Sequence, residues 1–261
     1  MPDVHRIKPP ALLAGLGVLA QIVYPIVHGH ARDVDTVLVV LLIGTACLWH
    51  ARRCGLLLPV AAISVVGGFA VELLGVHTGF PFGRYRYAGS LGVRLDGVPL
   101  VIALAWPMLA WPAALVSRRL VTGITARVLL GGWALATWDL FLDPQMVAAG
   151  HWRWRHPTPH LPGVPNVPLT NYAGWLGVAL LMSFGLQTAL RAHEPNPRGV
   201  PIPLYLWTWA SSTLALAAFL HLGGAALWGG VAMGCVAVPL ALSLRPAHEP
   251  VARACAGRPR A

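Results

Sequence analysis

Eight apolar runs, all but the short second one close to the length of a membrane-spanning helix, dominate this sequence. A helix needs about 20 apolar residues to cross the hydrocarbon core of a bilayer. Lipid offers no partner to backbone N–H and C=O groups, so each run is expected to form a helix that pairs them internally. The sequence therefore predicts an all-α fold, a polytopic membrane helical bundle with about eight (seven or eight) transmembrane helices. The runs cover residues 11–27, 36–49, 56–76, 99–116, 121–142, 169–190, 204–220 and 225–244.

Charge is scarce and unevenly placed along the chain. Charged residues make up 11% of the 261 residues, whereas a soluble domain carries roughly 25%. The net charge of +10 does not indicate nucleic-acid binding, because Lys and Arg form short clusters between the apolar runs. With the N-terminus inside, 13 of these basic residues fall in inner segments and 6 in outer ones. This bias predicts a multi-pass protein of the cell membrane with both termini in the cytoplasm.

The domain organisation follows from the same runs. Residues 1–245 predict a single transmembrane domain. Residues 246–261 are basic and lack apolar periodicity, which predicts a disordered C-terminal tail. The four cysteines show no CxxC spacing, so we expect neither a metal site nor a disulfide framework.

Two aspartates stand one helical turn apart at the end of the fifth run. Asp139 and Asp143 would share one face of a helix. A carboxylate within an apolar span marks a candidate functional site, because burying it in hydrocarbon is costly. Glu72 lies near the end of the third run and Asn171 at the start of the sixth. In the predicted topology all four side chains reach the outer membrane face, so we expect them to converge.

Each of these residues also has a structural interpretation. Asp143 precedes a proline, and Asp-Pro is typical of a helix N-cap followed by the first helical residue. Asp139 could form a buried ion pair with Arg84 or Arg86. Asn171 could hydrogen-bond a neighbouring carboxylate, or it could cap its own helix.

The loop after the third run, residues 77–87, is rich in aromatic and basic residues. Its alternating rings are Phe80, Phe82, Tyr85 and Tyr87. Alternation places rings on one side of an extended segment. Two interpretations stay open: an interfacial aromatic belt whose arginines reach lipid headgroups, or a lid whose rings line a pocket and whose Arg84 pairs with a carboxylate. For Trp152 and Trp154 we expect the interfacial belt.

Several kinds of chemistry fit three carboxyl groups at a membrane face. Prenyl transfer uses aspartates to hold Mg²⁺ and a diphosphate. Acid–base chemistry on an alkene suits a carboxyl group in low dielectric, which keeps its proton to higher pH, and aromatic faces stabilise the resulting cation. A transporter would use the carboxylates as a proton relay. The sequence has no GxSxG, Walker or Rossmann motif and no HxxxH pair on one helix, so nucleotide, redox and di-metal chemistry lack support.

Long motifs stand in the middle of the chain, at residues 72–87, 97–99, 104–106, 138–139, 143–146, 150–154 and 171–175. Together they resemble the integral-membrane carotenoid biosynthesis family, which includes carotenoid 1',2'-hydratases and bisanhydrobacterioruberin hydratases. The first two and last two runs are similar to that family only as hydrophobic helices.

The resemblance implies addition of water to the terminal double bond of an acyclic carotenoid, with no cofactor. Protonation of the less substituted carbon gives a tertiary cation, and water then forms a tertiary alcohol. We expect Asp139 to be the acid and Glu72 or Asp143 its partner. The implied partners are the carotenoid in the bilayer, membrane lipid and other carotenoid-pathway enzymes; prenyl transfer and transport or isoprenoid binding stay open as alternatives. The expected substrate-binding residues are Phe82, Arg84, Tyr85, Tyr87, Trp138 and Asn171.

Overall fold

Helices build most of the protein in the computed structural model, which describes residues 9–193 and 199–245. The predicted helical character is confirmed for that part of the chain, whereas the predicted tail at residues 246–261 lies outside the described residues. The helices, in chain order, are α1 Pro9–Val23, α2 His30–Arg53, α3 Leu57–Thr78, α4 Ile102–Leu120, α5 Ile124–Ala136, α6 Asp139–Ala148, α7 Leu169–Ala189, α8 Pro201–Phe219 and α9 Gly223–Ser243.

Within the described ranges, five helices are long and apolar enough to cross a membrane. They are α2, α3, α7, α8 and α9. Helix α1 is apolar but has only 15 residues. The number of spans and the cytoplasmic placement of both termini stay predictions.

Helix α4 forms the centre of the bundle. Every residue from Trp106 to Ser117 is buried, and α4 packs against α2, α3, α5 and α8. Because no face of this stretch is exposed, its neighbouring helices enclose α4 on all sides.

The fifth apolar run is divided, contrary to the single span predicted for residues 121–142. Helix α5 ends at Ala136 and α6 begins at Asp139. Between them the backbone stays near helical dihedral angles, but tighter i→i−3 hydrogen bonds appear, such as Phe141 N–H to Trp138 O at 2.9 Å. The junction contains neither Gly nor Pro, so the apolar pattern gave no signal of a break.

Two short antiparallel β-ribbons lie outside the helices, and the apolar runs did not predict them. Strand β1 Tyr85–Tyr87 pairs with β4 Trp152–Trp154, with Arg86 opposite Arg153. Strands β2 Arg94–Leu95 and β3 Val98–Pro99 form the other ribbon. Side chains alternate between the faces of a strand, so the β1–β4 ribbon presents tyrosines and tryptophans to the helices and arginines outward.

Candidate active site

A cavity of about 130 Å³ lies between the ends of α3, α4, α6 and α7 and the inner face of the β1–β4 ribbon. Glu72, Asp143 and Asn171 all line it, so the predicted convergence of these polar groups is confirmed. An apolar cavity of about 150 Å³ can hold benzene. The cavity therefore has room for roughly one five-carbon end of an isoprenoid chain. Its ring lining includes Tyr85, Tyr87, Trp106, Trp138, Trp152 and Trp175.

The two aspartates share one amide. Asn171, in the first turn of α7, donates from Nδ2 to Asp139 Oδ2 at 2.7 Å and also to Asp143 Oδ2. Trp152 Nε1 donates to Asp143 Oδ1 at 2.9 Å. Helix α7 has no side-chain cap, so the capping alternative for Asn171 is wrong and the carboxylate alternative is confirmed.

The N-cap interpretation of Asp143 is also wrong. Helix α6 begins four residues earlier, at Asp139, and Pro144 lies inside it. A proline there cannot donate a backbone hydrogen bond, and the helix continues past it to Ala148. The side chain of Asp143 is therefore free to serve the cavity instead of a helix end.

Asp139 and Asp143 differ in what they face. Asp139 is fully buried, at 0% exposure, and is not among the cavity-lining residues of the described chain. Its Oδ1 has no hydrogen-bond partner within the described ranges. The alternative of an ion pair with Arg84 or Arg86 is wrong, because neither arginine contacts a carboxylate in the described chain. Asp139 stands behind Asp143, adjacent to it, and both carboxyl groups share the donor Asn171.

Glu72 is held by two phenols. Tyr85 and Tyr87 both donate to Glu72 Oε2, at 2.5 and 2.8 Å. Burial and the Glu72 charge raise the pKa of both phenols well above the ordinary value, so both remain protonated donors. The close approach requires Gly75, because a Cβ there would lie 2.8 Å from the Tyr85 hydroxyl oxygen.

Stacked indoles form one wall of the cavity. The rings of Trp106 and Trp175 lie parallel with centroids 4.5 Å apart, and Trp138 meets Trp175 edge-on at 6.4 Å. This packing needs the bare backbone of Gly68, since a Cβ there would sit 2.3 Å from Trp106 Cγ. Trp138 was predicted to line the site. Trp106 and Trp175 were not predicted as lining residues.

The interfacial interpretation of Trp152 and Trp154 is wrong. Both side chains are buried and line the cavity, and Trp154 Nε1 donates to Phe82 O at 2.8 Å. A signal was present in the sequence: Trp-Arg-Trp repeats the aromatic–arginine–aromatic pattern of Tyr85–Tyr87. Paired strands with matched alternation would bring both sets of rings to one face.

The other residues of the predicted lid differ in whether they face the cavity or the outside of the protein. Phe82 is buried in the cavity wall, as predicted, whereas Phe80 is 69% exposed. Arg84 is exposed and lies on the outer side of the ribbon. It points away because it precedes a strand in which Tyr85 faces inward. In the described part of the chain, no group of three or more His, Cys, Asp or Glu side chains is arranged to hold a metal ion.

The comparisons of the chain with known proteins agree with one another on carotenoid biosynthesis. The profile of the carotenoid biosynthesis protein family matches residues 34–240. Over 151 residues the chain is 36% identical to the bisanhydrobacterioruberin hydratase of Haloarcula japonica, covering 53% of this chain and 47% of that protein. The chain thus spans about half the length of the curated relative that it matches. No solved structure matches it. With a family match over most of its length, this chain belongs to the carotenoid biosynthesis protein family.

Proposed function

We propose that this protein is a carotenoid hydratase, which adds water to the terminal trisubstituted double bond of an acyclic carotenoid. One observation carries the proposal: two separately held carboxyl groups, Asp143 and Glu72, open into the same ring-walled cavity. The cavity has about the size of one isoprenoid end. The name of the Haloarcula japonica relative supports the same reaction class.

In this proposal Asp143 is the acid. Its carboxyl proton passes to the less substituted alkene carbon, the π bond breaks, and a tertiary cation forms at the neighbouring carbon. The sequence alone favoured Asp139 for this role, but Asp143 is the aspartate that lines the cavity. Asp139 then acts as a positioning residue, which holds Asn171 and through it the carboxyl group of Asp143.

The indole wall stabilises the cation. A cation within about 6 Å of an aromatic face is attracted by the negative charge of that face. The stacked pair Trp106 and Trp175, together with Trp138, offers such faces without offering a nucleophile. The cation therefore persists until water reaches it.

Glu72 is the base in this scheme. A water molecule between Glu72 and the cation gives its oxygen lone pair to the carbon and its proton to the Glu72 carboxylate. The two phenol donors orient that carboxylate. The proton then returns from Glu72 to Asp143 through the shared cavity, so the cycle consumes one alkene and one water and transfers no electrons.

Expression in a bacterium that makes lycopene or γ-carotene tests the reaction. Pigments should gain the mass of one water for each end that reacts, without added nucleotide or Mg²⁺ in isolated membranes. A product heavier by a five-carbon unit would instead identify a prenyltransferase. Unchanged pigments with every acyclic carotenoid would favour transport or isoprenoid binding.

We also propose a location in the cell membrane with both termini in the cytoplasm, on the strength of the Lys and Arg distribution. Reporter fusions after Arg53 and Arg94 should report the cytoplasm and the outside, respectively. The reverse pair of signals would invert the topology and place the cavity at the cytoplasmic face.

A further inference from the structure

The outer face of the β1–β4 ribbon carries a second, charged pocket. It has a volume of about 500 Å³ and is separated from the cavity by the ribbon itself. Four arginines line it: Arg84, Arg86, Arg153 and Arg155. We call these residues the arginine pocket.

The strand register forces these charges together. Arg86 lies directly opposite Arg153 in the antiparallel pair, and the ladder continues with Arg155 N–H donating to Arg84 O at 2.8 Å. Like charges directly opposite on one sheet face destabilise the pairing. The alternation that buries four rings thus leaves four guanidinium groups concentrated on the other face.

Within residues 9–193 and 199–245, no carboxylate neutralises the arginine pocket. Among the described residues, none of the four guanidinium groups makes an ion pair or a side-chain hydrogen bond. The nearby acid, Asp96, is taken by His77, whose Nε2 lies 2.8 Å from Asp96 Oδ2. Guanidinium forks match phosphate oxygens in geometry as well as charge. A phosphate group is therefore an anion that this pocket suits in both geometry and charge.

The surroundings of the pocket indicate where that phosphate comes from. Large apolar side chains stand exposed in the same loop region, with Phe80 at 69%, Val93 at 75% and Leu95 at 56%. Exposed rings and aliphatic groups beside arginines are typical of the headgroup layer of a bilayer. Phospholipid is the phosphate compound concentrated at that depth in either leaflet.

We propose that the arginine pocket binds the phosphate group of an anionic membrane lipid. The bound phosphate bridges Arg86 and Arg153, removes their repulsion and fastens the ribbon whose inner face forms the cavity wall. This site is independent of the proposed hydration, because it lies on the opposite face of the ribbon and needs no carotenoid.

Binding of phosphatidylglycerol to the full-length protein in neutral detergent tests the site. Native mass spectrometry and the melting temperature are measured for the wild type and for Arg86→Gln/Arg153→Gln. The control, Arg52→Gln/Arg191→Gln, removes the same charge from two exposed residues, Arg52 in the last turn of α2 and Arg191 just past the end of α7. We expect the pocket variant to bind the lipid about tenfold more weakly or worse, while the control matches the wild type.

The lipid-free melting temperatures make the test specific. Without lipid, the pocket variant should melt at or above the wild-type temperature, because a like-charge contact has been removed. With phosphatidylglycerol, the wild type and the control should gain stability and the pocket variant should not. If the double variant does not fold, the same binding and melting measurements are made on the single variants Arg86→Gln and Arg153→Gln.

Two results would overturn the proposal. Equal phosphatidylglycerol binding by the wild type and the pocket variant would show that the arginines do not form the site. Stabilisation by inorganic phosphate or diphosphate without any effect of phosphatidylglycerol would assign the pocket to a soluble anion instead. Either result leaves the pigment assay of hydration unaffected, so the two proposals fail separately.

Discussion

Two carboxyl groups meet in one cavity but are held in opposite ways. Glu72 receives two hydroxyl donors on a single oxygen. Asp143 shares one amide with a second carboxyl group, Asp139, and receives an indole N–H on its other oxygen. Donors that converge on one oxygen suit a carboxylate, whereas two adjacent carboxyl groups suit one shared proton. The difference is what the proposed division into a base and an acid depends on.

The largest effect is expected from Asp143→Asn, which keeps the shape of the side chain but cannot donate an acidic proton. Hydration should fall by about 10²–10⁴-fold, the range typical of lost general catalysis. The measurement is product formed per amount of folded protein in membranes that contain an acyclic carotenoid. Near-normal turnover would remove Asp143 from the role of acid and, with it, the proposed division between acid and base.

The next effect is expected from Glu72→Gln, which removes the carboxylate proposed to accept a proton from water. Activity should fall by about 10²-fold, because water can still attack a cation without a base, only less effectively. The same pigment assay measures it, with the melting temperature as the control for folding. A loss greater than that of Asp143→Asn would exchange the roles of the two carboxyl groups.

A smaller effect is expected from Asp139→Asn. An amide at this position can still accept a hydrogen bond from Asn171, so the geometry of Asp143 is largely kept. Activity should fall by about tenfold, equivalent to roughly 1.4 kcal/mol of lost positioning. If Asp139→Asn is instead more damaging than Asp143→Asn, Asp139 is the acid, as the sequence alone suggested.

The smallest effect is expected from Tyr87→Phe, which removes one of the two donors to Glu72. Loss of one hydrogen bond of about 0.5–1.5 kcal/mol corresponds to a decrease of roughly two- to tenfold. Tyr85→Phe is the matched variant and should decrease activity at least as much, because its bond is shorter, at 2.5 against 2.8 Å. Unchanged activity in both variants would show that the phenols do not orient the base.

The convergence of the polar groups could be predicted because few positions are available to groups at the ends of membrane-spanning helices. Glu72, Asp143 and Asn171 each stand near the end of an apolar run, and helices that cross a bilayer bring such ends to one of only two faces. Trp152 and Trp154 were misassigned because amphipathic rings suit an interface and a pocket equally well. Their strand partner, Tyr85–Tyr87, is more than 60 residues away in the chain.

The helical bundle, the family and the small set of candidate carboxyl groups could all be predicted from the amino-acid sequence. Apolar length and the cost of burying charge act locally along the chain, so they can be read from it. The folded chain was needed to show which aspartate faces the cavity and that Arg84 faces outward. Those choices depend on the turn between α5 and α6 and on the pairing of β1 with β4. Each orientation is fixed by packing between different segments of the chain. The residue pattern of one segment alone therefore does not predict it.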